Sequence, residues 1–328
     1  MAFRFAITMG DVAGIGPEII ASAWPSLIAL GQPILVGDAT WLQKGLQLVG
    51  SNARIQVIRD FDEALPKIDI IPCLLASTAN LSSVVPGQVS AAAGQAAYDY
   101  LCTAIDLALA GTVDAIVTCP LHKEGLRAAG LPFPGHTEIL ADHTNAPRHA
   151  MLLYADGLSV LHVTLHIALR DALPNITTAG IRDAIELLHT LLPRLIDRVP
   201  RIAVCALNPH ASDGGLFGDE ESRILEPAVR ECRENKINVT GPLPADALWA
   251  QAATGAYDGV VAMYHDQGHI PMKMRFGRKL VNITAGLPII RTSVAHGTAY
   301  DIAGQAKADP SSLIVAAEIA ARLARKRK

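Results

Sequence analysis

The chain has 328 residues, half of them hydrophobic, 18% charged and 5% aromatic, with a formal net charge of −3. That length suggests two domains rather than one small core, and its aliphatic, alanine-rich composition fits helices packed on a mostly parallel sheet. No basic stripe points to nucleic acid, and no uninterrupted apolar run is long enough to span a membrane. The one basic cluster, Arg325 to Lys328, reads as a solvated helix end. Five widely spaced cysteines, without a C-x-x-C pair, read as buried free thiols. Together with an N-terminus that enters a strand at once, they predict a reducing, cytoplasmic setting.

In chain order, FRFAIT (3–8) predicts a first strand, and MGDVAGIG a glycine-rich turn whose helix opens near Pro17. PILVGD predicts a second strand, and the stretch from IRDFDEAL to PCLLAS short strands. A loop from Gly87 to Gly94 leads into a long alanine-rich helix stopped by Gly111. VDAIVTCP predicts a buried strand ending in a loop with His122 and Lys123. MLLYA and LSVLHVTLH predict paired strands, TTAGIRDAIELLHTLLPRL an amphipathic helix, RIAVCALNP a strand, ESRILEPAVRECREN a helix and GVVAMYH a strand. SSLIVAAEIAARLARKRK predicts a last helix. No repeat, low-complexity segment or linker interrupts the alternation.

Three of the strand-like runs deliver a histidine where the apolar pattern stops: His166, His210 and His265. The carboxyl edge of a parallel sheet is where α/β enzymes present ligands. Three neutral imidazoles could hold one divalent metal with a position left open, or could be three loop histidines with structural roles. Arg170, Asp171, Asn208, Asp266 and Gln267 are candidates to orient them. His143, His162 and His189 read as structural. In PGHTEIL, Thr137 is either a helix N-cap or, with His136, a hydrogen-bonding group for a phosphate or carboxylate. Lys273, Asn282 and Arg291 flank apolar stretches, where cations serve as anion clamps; Arg278 and Lys279 read as solvated. The glycines at 10, 14 and 16 do not match G-x-G-x-x-G, so that turn is either a tight bend or an anion-binding helix start. The small-residue loop AHGTAYDIAGQAKADP (295–310) would let a ligand approach the backbone.

The strings ITMGDVAGIGPE, PGHTE, LHIALRD, LNPHASDGGLFGDEE, GPLPAD, AMYHDQGHIP, VNITAGLPIIRTSVAHGTAYDIAG and KAD cover nearly the whole chain. Together they resemble the 4-hydroxythreonine-4-phosphate dehydrogenase family, with its close 4-phospho-D-threonate/erythronate dehydrogenase subfamily. The resemblance implies an α/β fold like that of isocitrate and isopropylmalate dehydrogenases, two α/β domains with a cleft between them. It suggests a discontinuous cofactor-side domain, 1–125 plus 275–328, and a central metal, substrate and dimerisation domain, 126–274. It further implies a homodimer and one divalent metal (Zn, Mg or Co) per active site on His166, His210 and His265. Those ligands would be shared between subunits, so that one chain alone lacks a complete site. Substrate contacts are implied at His136, Thr137, Lys273, Asn282 and Arg291.

The loop HGTAYDIAG resembles the adenosine-binding loop of the β-decarboxylating dehydrogenases, which implies cofactor contacts at His296, Gly297, Thr298 and Asp301. A carboxylate at Asp301 can accept from ribose hydroxyls and would repel a 2′-phosphate, which favours NAD over NADP. The implied reaction is oxidation and decarboxylation of a phosphorylated 3-hydroxy acid. The substrate is either 4-phosphooxy-L-threonine, giving 3-amino-2-oxopropyl phosphate for pyridoxal phosphate synthesis, or 4-phospho-D-threonate, giving dihydroxyacetone phosphate. Asp246 and Asp266 are candidates for the base or for orienting ligands, and Lys273 for neutralising substrate charge. VTLHIALRDAL and DQGHIP resemble the phosphothreonate subfamily more, and Val12 stands where a proline is common. A decarboxylating cis-dihydrodiol (terephthalate-type) dehydrogenase is the enzyme alternative, and a metal- or nucleotide-binding paralogue without turnover the other.

Overall fold

The computed structural model describes residues 2–326; Arg327 and Lys328 of the basic tail lie outside the described residues. The chain divides into two compact units, 1–147 with 287–328, and 148–286.

The first unit begins with β1 (Arg4–Thr8), α1 (Gly16–Leu30), β2 (Gln32–Gly37), α2 (Ala39–Leu48), β3 (Arg54–Ile58), β4 (Ile70–Leu75), α3 (Ala91–Leu109), β5 (Ala115–Thr118), α4 (Lys123–Ala128) and α5 (His136–His143). Its helices start where capping chemistry allows. Pro17 sits in the first turn of α1, where its missing N–H costs nothing. Asp38 caps α2 through Trp41 N–H, and Ser90 caps α3 through Ala93 N–H. The cap at Ser90 starts α3 inside the predicted Gly87–Gly94 loop. Thr137 lies within the first turn of α5, whose N-cap is Gly135, so it is not a cap.

The second unit holds β6 (Ala150–Ala155), β7 (Leu158–His162), α6 (Leu169–Asn175), α7 (Thr178–Leu191), α8 (Pro193–Ile196), β8 (Ile202–Cys205), a π-helical turn (Glu221–Leu225) running into α9 (Glu226–Glu234), β9 (Val239–Leu243), α10 (Ala245–Ala253), β10 (Gly259–Ala262), α11 (His265–Phe276) and β11 (Val281–Ala285). The chain then returns to the first unit with β12 (Arg291–Val294) and α12 (Ser311–Arg325). Residues 126–147 thus lie in the first unit and 275–286 in the second. Helix α5 packs on α3, and β11 pairs with β6, which ties each segment to its own unit.

In the first unit the strand order is β3-β4-β2-β1-β5-β12, every pair parallel. In the second it is β11-β6-β7-β10-β8-β9, with antiparallel pairs at β11/β6 and β6/β7 and parallel pairs beyond. The architecture is the mixed α/β class expected. Strands β5, β7, β8, β10 and β12 are buried along their whole length. Covered on both faces, β5, β8 and β10 show continuous rather than alternating apolar residues, whereas β12 buries Arg291, Thr292 and Ser293. The core of the first unit sits between this sheet and α1, α3 and α12, around Phe5, Ile7, Trp24, Leu27 and Tyr100. Adjacent parallel strands release their chains at one edge, and that edge carries the candidate site residues of each unit.

Candidate active site

In the second unit β7, β10 and β8 are neighbours and parallel. The strands stop at His162, Ala262 and Cys205, a few residues short of the predicted histidines. His166, His265 and His210 therefore follow one edge of the sheet on the segments just beyond it. His265 opens α11, with its Nδ1 2.6 Å from Asp266 Oδ1. An Nδ1–H donated to that carboxylate fixes the tautomer and leaves Nε2 as the free lone pair. The His166 and His265 rings lie 5.8 Å apart between centroids.

Two further histidines join this cluster. His269, one turn along α11, stacks on His265 at 3.7 Å with the planes 10° apart. Its Nδ1 is 3.1 Å from His162 Nε2. His162, which the sequence assigned a purely structural role, thus stands in the same cluster as the candidate ligands. Burial, reinforced by the neighbouring imidazoles, pushes His162 down to about 3. Burial, with His265 and Lys273 nearby, pushes His269 down to about 4. Both rings are therefore neutral at physiological pH. His269 could have been found from sequence by reading His265 as a helix start, because i and i+4 share a face.

His210 sits apart from these rings, 6.5 Å from the ring of Phe217. It begins a run of four non-glycine residues in the left-handed region: His210, Ala211, Ser212 and Asp213, with φ of 54°, 55°, 66° and 45°. Such a run is strained and must be held from outside. Buried Glu221 holds it. One carboxylate oxygen accepts from Leu207 N–H (2.9 Å) and Asn208 N–H (2.7 Å), and the other from Asn208 Nδ2 (2.9 Å) and the Ser212 hydroxyl. Gln267 bridges the ends of β10 and β8, accepting from Met263 N–H and donating to Ala206 C=O. Asn208 and Gln267 thus brace the loops, whereas Arg170 and Asp171 form an exposed contact of 3.8 Å.

Asp246 is exposed in the first turn of α10, its Oδ1 accepting from Ala247 N–H. Lys273 is exposed on α11, and Asn282 on β11 has a buried Oδ1 without a partner. The donor chemistry of His166, His210 and His265 fits a zinc-class ion, which takes neutral imidazole nitrogen. Among the described residues, however, no group of three or more His, Cys, Asp or Glu is arranged to hold a metal, so one chain does not bring the three together by itself.

The first unit holds the other predicted substrate residues. Arg291, on β12, is 1% exposed, and its Nε and Nη2 donate to Thr118 Oγ1 on β5 at 3.2 and 2.7 Å. Burial pushes this guanidinium down to about 9, against the pull of Glu138. It stays cationic at neutral pH, a buried positive charge with strong affinity for an anion. His136 opens α5 beside it. Burial, and then the Arg291 charge, hold that ring well below the ordinary histidine value. A neutral imidazole, the Thr137 hydroxyl and a guanidinium make a set able to receive a phosphate or carboxylate. Thr118 was not singled out from sequence, since only strand register places it under Arg291.

The loop 295–310 leaves the carboxyl end of β12 with no regular structure. His296, Gly297 and Asp301 are exposed and Thr298 is buried, with His296 Nδ1 2.9 Å from Gly297 C=O. Nothing lies within 4 Å of where a Cβ on Gly297 would stand. A ligand can therefore reach the backbone there.

A family model described as pyridoxal phosphate biosynthetic protein PdxA matches residues 29–320. D-threonate 4-phosphate dehydrogenase of Salmonella typhimurium is 47% identical over 321 residues, 97% of this chain and 98% of its own. 4-hydroxythreonine-4-phosphate dehydrogenase of Beijerinckia indica is also 47% identical, over 319 residues, 97% of this chain and 94% of its own. The crystal structure of 4-hydroxythreonine-4-phosphate dehydrogenase from Klebsiella pneumoniae matches with a TM-score of 0.88 at 44% identity, covering 99% of this chain and 98% of that one.

Proposed function

Because the chain belongs to the PdxA family of pyridoxal phosphate biosynthetic proteins, we propose that it is an NAD- and divalent-metal-dependent decarboxylating dehydrogenase, working as a homodimer in the cytoplasm. It is a dehydrogenase of 4-phosphothreonine or D-threonate 4-phosphate. The observation that best supports the metal is the delivery of His166, His265 and His210 from the same edge of three adjacent parallel strands. One ion would be held by His166 and His210 of one chain and His265 of a second copy. Exposed apolar side chains flank each of the three: Ile167 and Leu169, Leu216, and Ile270 with Met274. Apolar surface around a polar centre is what a partner copy covers. The free thiols of all five cysteines fit a reducing compartment.

When bound, the ion supplies Lewis acidity at the substrate hydroxyl and NAD supplies the hydride acceptor. The remaining work falls to side chains. Asp266 holds the His265 tautomer that leaves Nε2 free. Arg291, His136 and Thr137 bind the phosphate, and Lys273 neutralises the carboxylate that leaves as CO₂. The unpartnered Asn282 Oδ1 accepts a hydrogen bond from a substrate hydroxyl or amine. Asp246, unengaged except with its own helix start, takes the hydroxyl proton. Exposed Asp301 receives ribose hydroxyls and disfavours a 2′-phosphate.

The test is NADH formation with zinc, magnesium or cobalt across 4-phosphooxy-L-threonine, 4-phospho-D-threonate and a terephthalate cis-dihydrodiol, with and without EDTA. Turnover of one phosphorylated acid, lost with EDTA and greater with NAD than with NADP, is the expected result. No turnover of any of the three would refute the activity. Turnover of the dihydrodiol alone would move the chain to the alternative substrate class. Asp246→Asn should lower kcat, whereas Asp266→Asn should weaken metal uptake; the absence of both effects would remove both assignments.

A further inference from the structure

The 295–310 loop has no ladder or helix of its own, so its shape must come from what it is tied to. Strands β1, β5 and β12 lie side by side and parallel, which brings the chain after each to one edge. After β1 comes Asp11, fully buried; after β5 comes His122; after β12 comes the loop with Tyr300. Asp11 Oδ1 accepts from Ala13 N–H at 2.9 Å, and Oδ2 accepts from the Tyr300 hydroxyl at 2.8 Å. The Tyr300 ring stacks on His122 with centroids 4.4 Å apart and planes 14° apart.

The backbone adds two more ties. Ile15 N–H donates to Thr298 C=O at 3.0 Å, and Ala306 N–H donates to Glu18 Oε2 at 3.0 Å. A Cβ at Gly14 would stand 2.9 Å from Thr298 Cβ, so glycine is what lets the turn and the loop meet. Ala299, between Thr298 and Tyr300, is held at φ 47°. The first glycine turn of the chain is therefore neither a dinucleotide fingerprint nor an empty bend. It is the bed on which the loop lies.

The geometry points to Asp11 and Tyr300 as positioning residues for nucleotide binding: their hydrogen bond latches the 295–310 loop into the shape that receives NAD. This rests on the reading of that loop as the nucleotide site. Neither residue need touch NAD. A loop ordered beforehand spares the nucleotide the entropy of ordering it, and releasing the latch returns that cost to the binding step. Burial pushes the Tyr300 phenol above its ordinary value, so it keeps its proton and donates to Asp11 at neutral pH.

Tyr300→Phe in the full-length protein keeps the ring on His122 and removes only the hydroxyl. Hydrogen exchange of residues 295–306 without nucleotide should quicken by at least about fivefold, with exchange in β1 and β5 unchanged. The Kd for NAD, measured by titration of NAD alone, and its KM should both rise about tenfold, equivalent to ~1.4 kcal/mol. The value of kcat should fall by less than about twofold. Asp11→Asn, which keeps an acceptor of the same shape, should act in the same direction more weakly, and replaces Tyr300→Phe if that variant misfolds. Unchanged exchange would overturn the latch. Faster exchange with unchanged NAD affinity would overturn its role in positioning. If the wild type binds no NAD, the assigned function fails, while the exchange measurement still decides the tie itself.

Discussion

Gly268 sets how closely His162 approaches the helix that carries His265. A Cβ at this position would fall on His162 Nε2 and stand 2.8 Å from Val160 Cγ2 and 3.1 Å from Ala262 Cβ. Two effects oppose each other in Gly268→Ala. Helix propensity favours alanine by about 1 kcal/mol in a helix interior. Overpacking a filled core costs about 1–3 kcal/mol, and here the nitrogen that the new Cβ would meet already faces His269 Nδ1 at 3.1 Å. Overpacking wins, so Gly268→Ala should lower Tm, measured by calorimetry, and weaken metal uptake as His162 and His269 are pushed apart. A raised Tm with unchanged metal uptake would show that the histidine cluster yields freely.

At the scale of elements, the strongest fastening in the second unit lies where β8 and β10 begin. Asp258, just before β10, has a side chain only 1% exposed and is bound by Arg198 and Arg201 ahead of β8. Burial pushes this carboxyl up, and the Arg201 and Arg198 guanidiniums outweigh it, holding it at about 2. A carboxyl lowered in the fold contributes stability that is present above its unfolded value of 3.8 and is lost as the pH falls towards about 2. Because both arginines are partly exposed, Asp258→Asn should cost about 2–3 kcal/mol at neutral pH, less than a fully buried pair would. Thermal unfolding across pH should show an acid limb between about pH 4 and pH 2 in the wild type that is shallower in the variant. A parallel loss of stability in both proteins over that range would remove Asp258 as the cause.

These elements also show what the sequence could reveal. Strands buried on both faces read directly as apolar runs, and β1, β2, β5, β8 and β10 all match. Such runs do not mark their own ends. LSVLHVTLH stays apolar and β-branched to His166, yet β7 stops at His162, where pairing with β10 runs out. The candidate anion-binding residues His136 and Arg291 stood out because cations and imidazoles are rare beside buried strands. Thr118, Glu221, His269 and Tyr300 did not, because their meaning lies in partners brought by register or across the chain. The Tyr300–Asp11 bond, for example, spans 289 residues.

At the scale of the whole molecule, a metal site assembled from two copies makes a prediction that a site within one chain does not. His210→Ala and His265→Ala should each be inactive alone. Mixed under conditions that allow subunit exchange, they form heterodimers in which one site carries both lesions and the other neither. A random mixture should then recover about a quarter of wild-type activity, since half the dimers are mixed and half of their sites are intact. Recovery that stays at background, with exchange shown by mass, would place all three ligands in one subunit.

The division of the first unit into two stretches of chain has a consequence during synthesis. Arg291 of β12 follows Thr118 of β5 by 173 positions, and β5 keeps an open edge until β12 arrives beside it. At a translation rate of about 5–20 residues per second, that edge waits roughly 10–35 s on the ribosome. The second unit, emerging in between, pairs β11, β6, β7, β10, β8 and β9 among themselves and can close first. An unpaired apolar edge is a template for unwanted pairing. The nascent chain is therefore most exposed to aggregation, and most in need of a chaperone, in the interval before β12 reaches β5.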